Sequence, residues 1–372
     1  MCEEHLSVFS CNVSLLDRLF YLHCCMIQYM LRVGIDCRFA HTKSGLGCYT
    51  RELVQALLQR NDPITYTLFT RFDDEDWLHS LQPHIYNLQS TPYPHYSFSE
   101  QLLLPGAIRH AHIDLYFAPH FNVPLLCPVP FVVTIHDLTL HRFPNEASMF
   151  RRTAYRRVMQ HAVSKAKKII AVSQTVADDI VHMYGNDVRQ KISIIHEAVG
   201  SQFVPQPEHM QRSVRQKYNL QKPFFLYVGN AKEHKNVPLL LEGFCASHLA
   251  DTELVLVIGE GSGPDSLPPH VRVLRSVPTA DVAALYSTAR AFVTATSYEG
   301  FGLPIAEALA CACPIIAPRV GALPEILGSR GRFIELTKES LVDALHCPPP
   351  PSVDRWKRGW EAVAEETVCC LC

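Results

Sequence analysis

A chain of 372 residues is too long for one ordinary core and about right for two domains. Hydrophobic residues make up 48% of it and the formal net charge is −2, which gives no global pull toward nucleic acid or an anionic surface. No run of roughly 18 apolar residues predicts a spanning helix, and the 14 cysteines lack paired CxxC zinc spacing, so they read as thiols of a reducing cytosol.

Residues 1–30 hold "SLLDRLFYLHCCMIQYM", apolar but broken by Asp17, Arg18 and His23. The stretch reads as an N-terminal extension, either a short helix or a segment from an upstream start, because Met30 stands directly before the first convincing strand. "LRVGID" (31–36) is that strand, and "SGLGCYTRELVQALL" follows with helical spacing at Tyr49, Leu53, Ala56 and Leu57. Buried-type strands are predicted at 65–70, 113–118, 130–137 and 167–173, with helices at 100–109 and 149–166 between them. A polar, proline-bearing stretch at 199–223 reads as a linker. Alternation then resumes, with strands at 224–230, 252–261, 271–277, 289–296 and 313–318 and helices at 237–247, 280–289 and 304–312. "CPPPPS" breaks the chain before a last helical pattern. The expected division is a first α/β domain at 31–205, a linker at 206–222, a second at 223–346, and a C-terminal helix within 347–372 returning toward the first domain.

Candidate chemistry gathers where strands end. "SYEGFGLPIAEALA" sets Glu299 before a glycine turn and Glu307 about one turn into a helix opened by Pro304. Gly300 and Gly302 let backbone amides come close to a ligand, and a helix N-terminus behind them suits a phosphate. Taken alone, Glu307 is better explained as complementing the helix dipole. "YVGNAKEHKN" ends another strand in a loop holding Gly229, Asn230, Lys232, His234 and Lys235; its lysines suit phosphate, or simply solvent. Gly45 and Gly47 lie in a third glycine loop, which has neither the dinucleotide fingerprint nor the Walker lysine. His136 ends "VVTIHD", and His120 and Asn122 end "FAPHFN". "DDED" (73–76) reads as a solvated loop rather than a metal-binding carboxylate pair, so no metal or cofactor is expected. Residues 149–168 carry seven Arg and Lys and no acid, either a solvated helix face or a contact for an anionic membrane or acidic acceptor.

From Leu31 to Leu336 these motifs, together with "FSEQLLLP", "IIAVSQTVADDI" and "DVAALY", occur in the order found in the retaining glycosyltransferases of family 4, which the chain resembles. The resemblance implies the GT-B architecture, an α/β fold of two Rossmann-like doubly wound domains facing across a cleft. Within the family the chain looks most like bacterial mannosyltransferases of cell-surface polysaccharide synthesis. By that likeness Glu299 lies beside the donor sugar, the amides of Gly300, Phe301, Gly302 and Leu303 touch sugar and diphosphate, and Glu307 accepts from the ribose hydroxyls. Lys235 offsets diphosphate charge, His136 lies near the sugar's primary hydroxyl, Gly45 and Gly47 close over the phosphates, and Gly229 and Asn230 line the donor loop. His120 and Asn122 are acceptor-side candidates. Where many members carry arginines around the loop lysine, this chain has His234 and Asn230, with Lys232 as a candidate substitute. The implied partners are a nucleotide-diphosphate sugar, GDP-mannose favoured, and a glycan or lipid-linked acceptor. The expected place of action is the cytoplasm, with peripheral contact at the inner membrane face, and no nucleic acid is involved. The competing readings are a nucleotide-sugar epimerase of the same architecture and a non-catalytic nucleotide-sugar binder.

Overall fold

β1 (Leu31–Asp36) is built of residues that bury on both sides, with Val33 and Ile35 wholly inside, which is how a central parallel strand reads. The computed structural model describes residues 30–42, 44–72, 75–143, 148–259 and 266–372. The N-terminal extension (1–29) and half of the acidic stretch at 73–76 lie outside the described residues. After β1 come α1 (Gly45–Leu58), β2 (Ile64–Thr70), β3 (Tyr86–Ser90), α2 (Phe98–His110), β4 (Leu115–Ala118), β5 (Phe131–Ile135) and α3 (Met149–Lys165). β6 (Lys168–Ala171), α4 (Gln174–Tyr184) and β7 (Ile192–Ile194) complete a seven-stranded sheet in the order β3-β2-β1-β4-β5-β6-β7.

The polar stretch read as a linker holds a helix, α5 (Glu208–Lys217). Its only buried residue is Val214, and the turn after it is pinned where Lys217 Nζ and the Tyr218 hydroxyl both donate to Asp281 Oδ2, at 2.5 and 2.6 Å. The second sheet comprises β8 (Phe224–Gly229), β9 (Glu253–Ile258), β10 (Val271–Arg275), β11 (Ala291–Val293), β12 (Ile315–Pro318) and β13 (Arg332–Ile334), in the order β10-β9-β8-β11-β12-β13. All pairings in both sheets are parallel. Its helices include α6 (Val237–Ala246), α7 (Thr279–Thr288), α8 (Leu303–Ala310) and α9 (Lys338–His346). The last helix, α10 (Trp360–Leu371), buries Trp360, Val363 and Leu371 in the first domain's core beside Tyr49 and Leu53 of α1. This is the GT-B arrangement.

Strand order reverses direction at β1/β4 in one sheet and at β8/β11 in the other. Helices leaving the two sides of such a break depart to opposite faces, which opens a crevice at the strands' carboxyl ends. The loops singled out in the sequence follow β1, β4, β8 and β11, so topology puts them at the two breaks.

Candidate functional site

The second domain's half of the site is two loops sewn together by one main-chain carbonyl. His234 O accepts from Ser297 N (2.7 Å), Ser297 Oγ (3.0 Å) and Thr296 Oγ1 (3.1 Å). That joins the loop after β8 to the loop after β11 and brings Lys235 to Glu299, with Nζ donating to Oε1 at 2.5 Å. Both side chains are mostly buried, at 15% and 17% exposure, so the pair is poorly screened. Asn230 holds its loop with both ends: its carbonyl accepts from the Tyr227 hydroxyl (2.6 Å) and its Oδ1 from Lys232 N (3.2 Å). Lys232 is exposed, whereas His234 turns inward against the Phe143 ring.

Glycine is required at Gly302, which precedes α8 with φ +96° and has Leu323 Cδ2 only 2.8 Å from where a Cβ would stand. Leu303 and Pro304 then open the helix; Pro304 has no N–H to satisfy, and Ile305 N and Ala306 N donate to Gly302 O at 2.9 and 3.2 Å. Glu307, about one turn along, accepts from the Tyr286 hydroxyl at 3.1 Å. Burial pushes its carboxyl up to about 8; the nearby charge of Glu197 adds to the rise and the Tyr286 bond opposes it.

The first domain supplies the opposite wall. Ser44 caps α1 by accepting from Gly47 N at 3.2 Å, so Gly45 and Gly47 both sit in the helix's first turn. A Cβ at Gly45 would lie 3.8 Å from Leu303 Cδ1, so the start of α1 packs against the Leu303 side chain at the start of α8. His136 follows β5, with Nδ1 2.8 Å from Glu197 Oε1 and Nε2 2.8 Å from Pro119 O. Burial alone would lower its pKa, but the hydrogen bond and charge of Glu197 outweigh that and raise it. His120 lies behind His136, its Nε2 2.8 Å from the Tyr96 hydroxyl; burial holds it well below the usual histidine range, and the charge of His136 adds to that. Asn122 is 2% exposed and donates to Glu100 Oε1 (2.8 Å), inside a buried cluster where Arg38 pairs with both Asp36 (2.7 Å) and Glu100 (2.8 Å). The structure therefore assembles His136, Lys235, Glu299, Glu307 and the glycine loops, and leaves Asn122 in the wall behind them.

The cleft is closed in this structure. Ser173 Oγ donates to Gly300 O at 2.6 Å while accepting from Val176 N, so one hydroxyl caps α4 and clamps the loop after β11. The Tyr298 hydroxyl donates to Asp179 Oδ2 at 2.8 Å, and the Arg142 guanidinium pairs with Asp179 and stacks 4.7 Å over the Tyr298 ring. Glu325 accepts from Gln174 N (3.0 Å) and pairs with His196 Nε2 (2.5 Å). The sequence singled out Gly300 and the motifs holding Ser173, Asp179 and Tyr298, but not these pairings. They depend on how the two domains meet. Among the described residues no group of three or more His, Cys, Asp or Glu could hold a metal ion, and no helix is long and apolar enough to cross a membrane.

Two α/β domains meeting at their strand breaks, with glycine loops and a lysine beside the breaks, define the GT-B fold. Residues 222–347 match the family described as "Glycosyl transferases group 1", and residues 43–202 match "Glycosyltransferase Family 4". The chain belongs to this family and is a glycosyltransferase. Among its relatives is the O-antigen chain mannosyltransferase B of Escherichia coli, 28% identical over 270 residues that span 68% of each chain. The O-antigen chain mannosyltransferase RfbU of Salmonella typhimurium is 27% identical over 254 residues, 65% of this chain and 67% of that one. Of solved structures, Anabaena Alr3699/HepE in complex with UDP and glucose aligns with a TM-score of 0.71 at 17% identity, covering 92% of this chain and 99% of that one. WaaG, a glycosyltransferase involved in lipopolysaccharide biosynthesis, aligns at 0.66 and 16% identity, covering 84% and 89%.

Proposed function

We propose that this enzyme moves a hexose, mannose favoured, from a nucleotide-diphosphate sugar such as GDP-mannose to a glycan or lipid-linked acceptor, with retention at the anomeric carbon. The observation that carries the reading is that the start of α1 packs against Leu303 at the start of α8, while Lys235 pairs with Glu299 in the loop that leads into α8. Each helix end carries roughly half a positive charge, so two helix starts close together, with an ammonium nearby, suit a diphosphate. Breaking a glycosyl–phosphate bond builds negative charge on that diphosphate. Preorganised amides and Lys235 stabilise it as it forms, and the reading requires no metal.

In this scheme the amides of Gly300, Phe301, Gly302 and Leu303 hold sugar and diphosphate, Glu299 orients the sugar, and Glu307 accepts from the ribose hydroxyls. Glu299 pairs with Lys235, so the donor's diphosphate would take over a cation that is held in place. No carboxylate stands out as a covalent nucleophile, which favours front-face attack by the acceptor with the leaving phosphate taking its proton. Mannose is favoured because the curated relatives named above are mannosyltransferases.

Peripheral docking on an anionic membrane face fits the first domain's surface. Phe98 and Leu102 on α2, Leu126, and Met149 and Phe150 at the start of α3 are each 73–79% exposed. Leu125 N donates to Gln101 Oε1 (2.9 Å), which ties the 125–126 turn to α2. Arg151, Arg156 and Arg157 are exposed on α3. Apolar side chains next to basic ones suit a lipid headgroup boundary, and a lipid-linked acceptor would be presented there.

The test is product analysis with purified enzyme, a panel of nucleotide sugars, and extracts with and without lipid-linked glycans. An acceptor-dependent α-mannoside from GDP-mannose is expected. A C2-epimerised nucleotide sugar formed without acceptor would replace this reading with the epimerase, and nucleotide-sugar binding with no product under any condition would replace it with a binder.

A further inference from the structure

His136 is bonded through both ring nitrogens to atoms that accept. Pro119 O can only accept, and Glu197 Oε1 is a carboxylate oxygen; both lie 2.8 Å away. A neutral imidazole has one N–H and one lone pair. With only one proton on the ring and Glu197 ionised, one of the two contacts would set a lone pair against an oxygen. The arrangement is satisfied when both nitrogens carry protons and Glu197 carries the negative charge. Glu197 is 4% exposed and lies just past the short strand β7, 61 residues from His136 in sequence.

We propose that Glu197 is a positioning residue for glycosyl transfer: it fixes the His136 ring and keeps it doubly protonated, so that His136 meets the donor as a cationic N–H donor and never as an acceptor. The inference rests on the glycosyltransferase reading for its catalytic half and on geometry alone for its protonation half. Nδ1 is committed to the carboxylate. Only the Nε2 proton, now on the Pro119 carbonyl, can be shared with or passed to a sugar or phosphate oxygen. Fixing one nitrogen to define the other is how a carboxylate sets a histidine's role.

The surroundings of the ring are consistent with a fixed cation. Tyr49 presses on it edge to face at 4.5 Å between centroids and is itself anchored, its hydroxyl 3.4 Å from Thr134 Oγ1. Asp137 is the next residue and adds negative charge. His120, with its ring centre 6.3 Å away, is held neutral by burial and by the charge of His136, so it does not compete as a cation. From the second domain, Glu307 senses Glu197 across the closed cleft, and the Gly300 backbone lies against the His136 carbonyl. The sign of the pH effect follows: His136 is charged below its raised pKa, and the charge is lost as pH rises through it.

The decisive variant is Glu197→Gln, whose amide has the same shape and can still bond Nδ1 but carries no charge. A hydrogen bond to a charged group is worth about 1.5–3 kcal/mol, so kcat should fall roughly 10- to 100-fold while donor KM stays within about twofold. The alkaline limb of the kcat pH profile should move to lower pH, and Glu197→Asp should restore part of both. Nitrogen-15 NMR of the histidine rings gives a readout that needs no activity, with the His136 signals assigned by their loss in His136→Gln. In the wild type both His136 nitrogens should read as protonated at neutral pH, and in Glu197→Gln the ring should titrate lower. A neutral wild-type ring, or the same ring titration and pH profile in both proteins, would overturn the proposal. A protonated ring in a protein that transfers no sugar would instead sink only the functional reading.

Discussion

Gly300→Ala tests whether the closed cleft is the working form. A Cβ built on Gly300 would stand 1.8 Å from His136 O, where real Cβ contacts stay above 3.0 Å. The domains must therefore part by about 1 Å or more at that point. The obstacle is main chain on both sides, so no side-chain rotation relieves it. Parting stretches the Ser173 bond to Gly300 O and the buried Tyr298 bond to Asp179. A neutral hydrogen bond contributes about 0.5–1.5 kcal/mol and one to a charged group about 1.5–3, so closure weakens by about 2–4.5 kcal/mol. That is roughly a 30- to 2,000-fold shift in the closing equilibrium, and kcat/KM should fall by a similar factor. The assay pairs transfer kinetics with small-angle scattering, in which the variant should be more open than the parent. Gly106→Ala is the control, because a Cβ there meets nothing within 4 Å and alanine favours the helix. Turnover within twofold of wild type, with an unchanged scattering curve, would show that this contact is not part of the active conformation.

Lys235→Ala should lower kcat by more than it raises donor KM, since the leaving diphosphate gains charge only as the bond breaks; a change confined to KM would make Lys235 a docking residue. Glu307 has its carboxyl pushed up to about 8 by burial and is expected to ionise on accepting from ribose hydroxyls. Donor binding at pH 7 should then release a proton and tighten as pH rises toward 8. Calorimetry in buffers of different ionisation enthalpy reads this directly, and Glu307→Gln should abolish the release; equal release from that variant would refute the assignment. Wild-type enzyme should sediment with phosphatidylglycerol vesicles at low salt and not at high salt, nor with neutral vesicles. Arg156→Glu with Arg157→Glu should remove that binding; no binding at low salt would leave the basic run as a solvated helix face.

What was legible in the sequence was local. Glu299, the glycine turn, Pro304 and Glu307 are contiguous, and a turn followed by a helix start can be recognised without knowing what lies opposite. The strands that were foreseen are apolar runs. Those that were not, β3 ("YNLQS"), β7 ("ISI") and β13 ("RFI"), are short and sit at the outer edges of their sheets, where half-exposed positions remove the apolar signal. α5 was hidden for a similar reason: with only Val214 buried, its composition is that of a linker. The clamp from Ser173 to Gly300 spans 127 residues, and that from Tyr298 to Asp179 spans 119. No pattern of spacing announces a contact made between two separately folded sheets.

The placement of His234 gives the charge arrangement of the site its logic. The resemblance set an arginine at that position in many members, but here the side chain is buried against Phe143 and its carbonyl joins the two donor loops. Asn230 likewise spends its polar atoms on its own loop. The second domain therefore offers Lys235 as the cation already aimed at the cleft, and Glu299 shares it. A leaving diphosphate needs more positive potential than one shared ammonium supplies. In the proposed scheme the starts of α1 and α8 add to it, and His136, held by Glu197 as Lys235 is held by Glu299, adds a charge-assisted N–H donor from the opposite wall. Because α1 and His136 belong to the first domain, that charge reaches the donor only when the cleft shuts. Closure and leaving-group stabilisation are then one event, so Gly300→Ala and Glu197→Gln should each lower kcat, the first by keeping the charge away and the second by removing it. In the double variant the two losses should combine less than multiplicatively, since a charge that cannot approach cannot be missed. Fully multiplicative losses would separate the two devices and assign closure some other task.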